Sequence, residues 1–250
     1  MTLYRTRTPA EREIIVKNLA EPYVINNFLS QDDIGELIEI YNHRQNKIQK
    51  HTGPVTSELR DDFNSIPILK SIKEKILEAV GECEVYTGFY FNVTQPHIIH
   101  NDDDKQGPVV YKAFTLPLKI EMADVTEQPK YPSLCFFDQY YLEGPSKFFK
   151  GATANIKEYY NTIVYDYKDV HNQSNTTFDS SAYQEHLSHL KLNWLDGLSF
   201  NSAHTWQPGN AIVFDCVRLH AASNFIKQGI KSKLGISIFT QVKLNEDAVI

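Results

Sequence analysis

The chain reads as α+β and mainly β, with helices near its start and a closed or sandwiched β-structure after them. Three observations predict this. Apolar residues recur every three or four positions up to about residue 80. Aromatic and β-branched residues dominate from about residue 84. Turn signals at Gly107-Pro108, Gln128-Pro129 and Pro208-Gly209 divide the later part into short runs.

Residues 22–29 predict a first strand. Ser30 caps a helix with Asp33 as its box partner, and Ile34, Leu37, Ile38 and Tyr41 give it one apolar face. A second helix is predicted over about 66–80, with Pro67 in its first turn and Gly81 as its stop. Strands follow from residue 84 through Val93 and over 109–121, 133–141, 198–206, 210–215 and 233–243. Residues 142–197 interrupt the series with a Tyr-rich and then Asn/Ser/Thr-rich stretch and a helix at about 180–192. An insertion of that length reads as a binding loop or lid, with residues 142–178 its mobile part; a cover over a sheet face is the alternative.

Composition narrows the function. The chain has 250 residues, net charge −6, 42% hydrophobic and 22% charged residues, which fits one globular domain over 1–250. No long basic run points to nucleic acid, and no apolar run approaches membrane-spanning length. Residues 1–17 hold bases but no apolar leader core, and the three cysteines (Cys83, Cys135, Cys216) have no metal spacing. A cytoplasmic chain with free thiols and a small-molecule substrate is the expectation; nothing in the sequence sets an oligomeric state.

The chemistry is concentrated in two segments. Pro96-His97-Ile98-Ile99-His100-Asn101-Asp102 holds a His-x-Asp pair, and His220 follows the apolar run Ala211–Phe214. With 9 His and 31 acids, about one His-x-acid match arises by chance, so the pair alone says little. The joint order says more: His-x-Asp, a turn and strand, a distant His, then Lys233 opening a last apolar run. Two imidazoles and one carboxylate occupy one face of an iron ion and leave positions open. On an extended segment positions i and i+2 share a face, which favours Asp102 over Asp103 and Asp104 and turns Asn101 away. Lys233 shares a face with Gly235 and Ser237, and Gly235 leaves room beside the base for a ligand carboxylate; Lys231 competes for the role. Tyr90 and Asn92 share a face of the strand before the motif. Lys112 and Thr115 are weaker candidates, and Asp138-Gln139 either approaches a substrate or ends a strand. His97 is out of phase with His100, His204 sits beside Trp206 as a pocket-lining candidate, and His186 and His189 fit a solvated helix face.

With these residues in place the chain resembles the Fe(II)- and 2-oxoglutarate-dependent oxygenases, and looks most like the branch that includes phytanoyl-CoA dioxygenase. Pro22-Tyr-Val-Ile-Asn-Asn-Phe-Leu-Ser resembles that branch's opening, His100-Asn101-Asp102 its proximal metal motif, Trp206-Gln-Pro-Gly-Asn-Ala-Ile-Val-Phe-Asp with His220 its distal segment, and Lys233–Thr240 its last catalytic strand. The resemblance implies a double-stranded β-helix (a jelly roll, cupin-like) with flanking N-terminal helices over 1–83, a core over 84–141 and 198–243, and the insertion between. It implies Fe(II) on His100, Asp102 and His220, and 2-oxoglutarate held by Lys233 with Ser237, Tyr90 and Asn92 as further contacts. It implies a dioxygenase that uses O2 to hydroxylate a substrate, releasing succinate and CO2; Asp102 speaks against the halogenating variants. Most members of the branch carry Arg where Lys233 stands, so the planar two-point grip is lost. Two other classes fit parts of the pattern: a metal-dependent cupin-like isomerase or epimerase, which needs no base after the distal His, and a non-catalytic jelly-roll binding module, which needs no convergence of His100, Asp102 and His220.

Overall fold

The computed structural model of the protein describes residues 7–50, 55–59, 63–103, 109–124, 126, 131–142 and 170–243. Its N-terminal helices begin where side chains satisfy the free amides of a first turn. Thr8 and Ser30 each accept from an amide three residues on, and Glu11 and Asp33 reach back to the cap amides. These two boxes open α1 (Pro9–Lys17) and α2 (Gln31–His43). The sequence pattern missed α1, because its helix is mostly polar and buries only Ile15. The next helix, α3 (Leu69–Val80), starts later than its periodicity suggests, after a 3-10 turn at Phe63–Ser65, and stops at Gly81 with φ +80°.

Ten strands are described: β1 (Tyr23–Ile25), β2 (Gln49–Lys50), β3 (Val55–Leu59), β4 (Cys83–Val93), β5 (Val110–Met122), β6 (Ser133–Tyr140), β7 (Phe200–Thr205), β8 (Ala211–Asp215), β9 (Arg218–Ala222) and β10 (Ile230–Val242). One sheet runs β1-β8-β5-β10-β4-β3-β2 and a smaller one β7-β6-β9, with antiparallel neighbours throughout. This is a double-stranded β-helix, the jelly roll expected. β1 is shorter than residues 22–29 because Asn27 turns the chain with φ +54°. The amides of Asn27 and Leu29 are then taken by Asn210 Oδ1 and Gly209 O, so the Pro208-Gly209 turn docks the entry to α2.

Three apolar layers result. The outer face of the large sheet (Phe114, Leu116, Leu234, Ile236, Ile238) packs on Leu37, Tyr41, Ile72 and Ile76 of the helices. Its inner face meets the small sheet through Phe91, Ile212, Phe214, Phe239, Phe136 and Trp206. The outer face of the small sheet lies under Phe178, Leu187, Leu190, Trp194 and Leu198. Residues 170–198 are therefore a structural cover. Within it α4 (Ser180–Ala182) runs into a π turn at Tyr183–Leu187, in place of the single helix expected at 180–192. The remainder of the expected lid, residues 143–169, lies outside the described residues. The chain on either side is pinned: Tyr140 and His171 pair and stack with rings 4.9 Å apart. No described helix is long and apolar enough to cross a membrane.

Candidate metal centre

His220 stands on β9, a strand the sequence did not announce because all five of its residues are buried and no alternation shows. Its register against β6 puts His220 opposite Phe136. On the free edge of β9 the segment 97–102 adds itself as a short antiparallel ladder. Ala222 N donates to His97 O (3.1 Å), His100 and His220 exchange both amide bonds (2.9 Å each), and Asp102 N donates to Cys216 O (2.8 Å). This ladder sets His100 directly beside His220, ring centroids 4.1 Å apart, with Asp102 next to both.

The donor atoms converge. His100 Nε2 lies 3.6 Å from Asp102 Oδ1, and His220 Nε2 lies 3.6 Å from Asp102 Oδ2. All three donors fall within 4.8 Å of one another. Each imidazole is fixed from behind: His100 Nδ1 sits 2.7 Å from Ile98 O and His220 Nδ1 3.0 Å from Arg218 O. A carbonyl only accepts, so Nδ1 carries the proton and Nε2 keeps its lone pair for a cation. Ligands about 2.1 Å from one ion at right angles are roughly 3 Å apart, so a small inward movement completes the set. Phe136 and Phe214 lie against the His220 ring, at 5.9 and 4.6 Å, and supply a dry wall. The two-His, one-carboxylate donor set and its fixed tautomers fit a divalent iron ion.

Neighbouring candidates sort by geometry. Asp103 is ion-paired with Arg7 and turned from the cluster; Asp104 lies outside the described residues. The His97 ring lies 4.0 Å from that of His100, tilted by 45°, but His97 is not among the converging donors. Asn101 is buried and donates to Tyr141 O, which holds the motif to the start of the insertion. His186 and His189 do not face solvent as expected: His186 stacks on Phe200, and burial draws the His189 imidazole down to about 4. His204 faces inward against Phe136, and burial lowers its pKa. Asp138 lies within β6, two residues before its end, and accepts from Ser199 and Asn201. Lys112 forms a buried ion pair with Asp215, which also accepts from the Ala20 amide, so its role is to fasten the N-terminal segment. Arg218, which the sequence reading passed over, is buried two residues before His220 and donates to Phe137 O and Ala20 O. Its only sequence signal was that position.

β10 carries the basic candidates. Lys231 is exposed and paired with Glu121 at 2.7 Å. Lys233 is 3% exposed and faces the inner core, its ammonium 4.7 Å from the Trp206 ring and 4.9 Å from the Phe225 ring. Among the described residues no carboxylate or carbonyl meets it, and burial pulls its pKa down to about 7. Ser237 is buried on the same face, opposite Thr115. Two expectations are corrected. Tyr90 and Asn92 stand opposite Ile236 and Leu234, on the helix-packed face. Tyr90 packs 5.7 Å from Tyr41 of α2, so neither points toward Lys233. Gly235 does not leave space for a ligand: a Cβ there would lie 2.8 Å from Trp206 Cζ2, 2.9 Å from Phe91 Cζ and 3.0 Å from Leu116 O. The indole fills that space.

No protein-family model matches the chain. No curated protein matches it. Solved structures do share the fold. The non-heme alpha ketoglutarate dependent carbocyclase SnoK from nogalamycin biosynthesis aligns at TM-score 0.50 and 12% identity, over 96% of this chain and 87% of that one. EctD from S. alaskensis aligns in its apoform at TM-score 0.51 and 11% identity, over 94% of this chain and 77% of that one. The same protein with bound Fe aligns at TM-score 0.51 and 12% identity, with the same coverage.

Proposed function

We propose that the chain is an Fe(II)- and 2-oxoglutarate-dependent dioxygenase that hydroxylates a small-molecule substrate, with release of succinate and CO2. One observation carries the reading: the donors of His100, Asp102 and His220 converge with both Nε2 atoms turned toward Asp102, inside a fold whose inner wall also holds the Lys233 ammonium, which meets no carboxylate among the described residues. An ion-binding isomerase has no use for a buried cation that faces no anion among the described residues, and a binding module has no use for the donor cluster. SnoK and EctD, named for alpha ketoglutarate dependence and bound Fe, share the fold and support the same direction. The order of segments resembles the phytanoyl-CoA dioxygenase-like branch, and we read residues 1–250 as one catalytic domain of that kind.

His100, Asp102 and His220 would hold the metal, with 2-oxoglutarate and O2 as co-substrates. Iron with the keto acid supplies the oxidising chemistry when bound. Lys233 neutralises the far carboxylate of the keto acid, and Ser237 lies on the same face to join it. Two neutral imidazoles, one carboxylate, a divalent cation, a dianion and one ammonium sum to zero, which favours burying the set. Phe136, Phe214 and Trp206 exclude water from around it. Ile98 O and Arg218 O hold the two imidazoles to one tautomer throughout.

The test is succinate formation by purified protein supplied with Fe(II), ascorbate and 2-oxoglutarate, screened against a metabolite library. Turnover should require Fe(II) and vanish in Asp102→Ala. Oxygen from 18O2 should appear in the product; a product lacking it argues for ring closure or epimerisation. Failure of both Fe(II) and 2-oxoglutarate to bind rejects the reading.

A further inference from the structure

Lysine offers a carboxylate a single charged point, whereas an arginine offers two parallel donors. The structure shows what stands beside Lys233 instead. Trp206 is 1% exposed, and its ring face lies under the ammonium. Its Cζ2 edge lies against Gly235 on β10, two residues from Lys233. Cζ2 is bonded to the ring carbon that carries Nε1, so this edge of the indole is the one that bears the N–H. Among the described residues Trp206 makes one hydrogen bond, from its backbone amide to Pro132 O. Among those residues no acceptor meets the indole N–H, a donor that usually finds one. The Lys233 ammonium and the Trp206 indole thus adjoin on one inner wall, beside a Gly235 at which a Cβ has no room.

We propose that Trp206 is a co-substrate-binding residue: its indole N–H donates to the same carboxylate that Lys233 neutralises, while its ring face and that of Phe225 hold the ammonium in place. This rests on the 2-oxoglutarate reading and deepens it. Lys233 and Trp206 together supply the two-point grip that a lone lysine lacks. The cation over two ring faces also keeps the ammonium from being a freely swinging group, because a desolvated cation is attracted to the ring quadrupole.

The indole resonance tests this directly. The chain has two tryptophans, so Trp194→Phe assigns the Trp206 Nε1–H signal in a 15N-labelled protein. Addition of 2-oxoglutarate with Zn(II), a diamagnetic stand-in for Fe(II), should move that signal downfield and slow its exchange with water. Trp206→Phe keeps a ring face and loses the donor. It should weaken 2-oxoglutarate binding about tenfold or more, as loss of a hydrogen bond to a charged group does, with Mn(II) affinity unchanged. Trp206→Leu should weaken it further. An unmoved indole signal, or Trp206→Phe binding as tightly as wild type, overturns the proposal. If wild type fails to bind 2-oxoglutarate at all, the functional reading has failed separately. Glutarate added to metal-free protein then decides the clamp alone: it should shift the Trp206 signal in wild type and not in Lys233→Met, and no shift in wild type rejects it.

Discussion

At the residue scale Lys233 makes the most quantitative statement. Desolvation lowers its pKa from 10.5 to about 7 in the ligand-free fold. A bound dicarboxylate favours the ammonium and raises that value. Affinity for 2-oxoglutarate is then complete below about pH 7 and falls as pH rises through the bound-state pKa, by about tenfold per unit. Calorimetric titration from pH 6 to 9 checks this, with Lys233→Arg giving a flatter profile because its guanidinium stays charged. A flat wild-type profile rejects it. Stability has the opposite sign. Between about pH 7 and 10.5 the unfolded chain keeps a proton that the folded chain has lost, so the ligand-free fold gains stability as pH rises. Denaturant titrations across that window should show the rise, and Lys233→Met should remove it.

At the element scale the arrangement depends on which face of a strand looks inward, and there sequence reading has a physical limit. Helix α2 was legible through Ser30 and Asp33, whose cap is local. The His-x-Asp spacing was legible because period two is a property of any extended segment, and the ladder along β9 holds both side chains together. The inner face of β4 was not. The large sheet is covered on both sides, by helices and by the small sheet, so β4 is apolar on both faces and its alternation carries no direction. Tyr90 and Asn92 were in phase with each other and on the wrong side. Gly235 shows the same limit at closer range: its smallness signalled space, and only packing shows that Trp206 and Phe91 occupy it. Gly235→Ala should therefore destabilise the fold by about 1–3 kcal/mol through overpacking. Urea unfolding measures this. A neutral effect means that the indole has room to retreat and is not held against β10.

At the scale of the whole molecule the site joins parts that are far apart in sequence. Asp102 is anchored through Cys216, His220 through β6 and Lys233 through the β4–β10–β5 pairing, while residues 18–21 are tied to Lys112, Asp215 and Arg218. A ligand that joins these groups binds the folded chain and not the unfolded one, so it must stabilise the whole fold. At a hundred times its dissociation constant it contributes about 2.7 kcal/mol. For a chain of this size each kcal/mol raises Tm by roughly 2–4 °C, so an increment of about 5–10 °C is expected. Mn(II), which does not turn over, should give one such increment in the wild type. 2-Oxoglutarate should add a second that is much larger with Mn(II) present than without it, because the chelate and the Lys233 contact then act together. Asp102→Ala should lose both increments, and Lys233→Met should keep the first and lose most of the second. Calorimetric scans of the three proteins with each ligand separate these outcomes. Equal increments in wild type and Lys233→Met would place the keto-acid tail elsewhere, and an undiminished Mn(II) increment in Asp102→Ala would remove the metal from the His100–Asp102–His220 cluster.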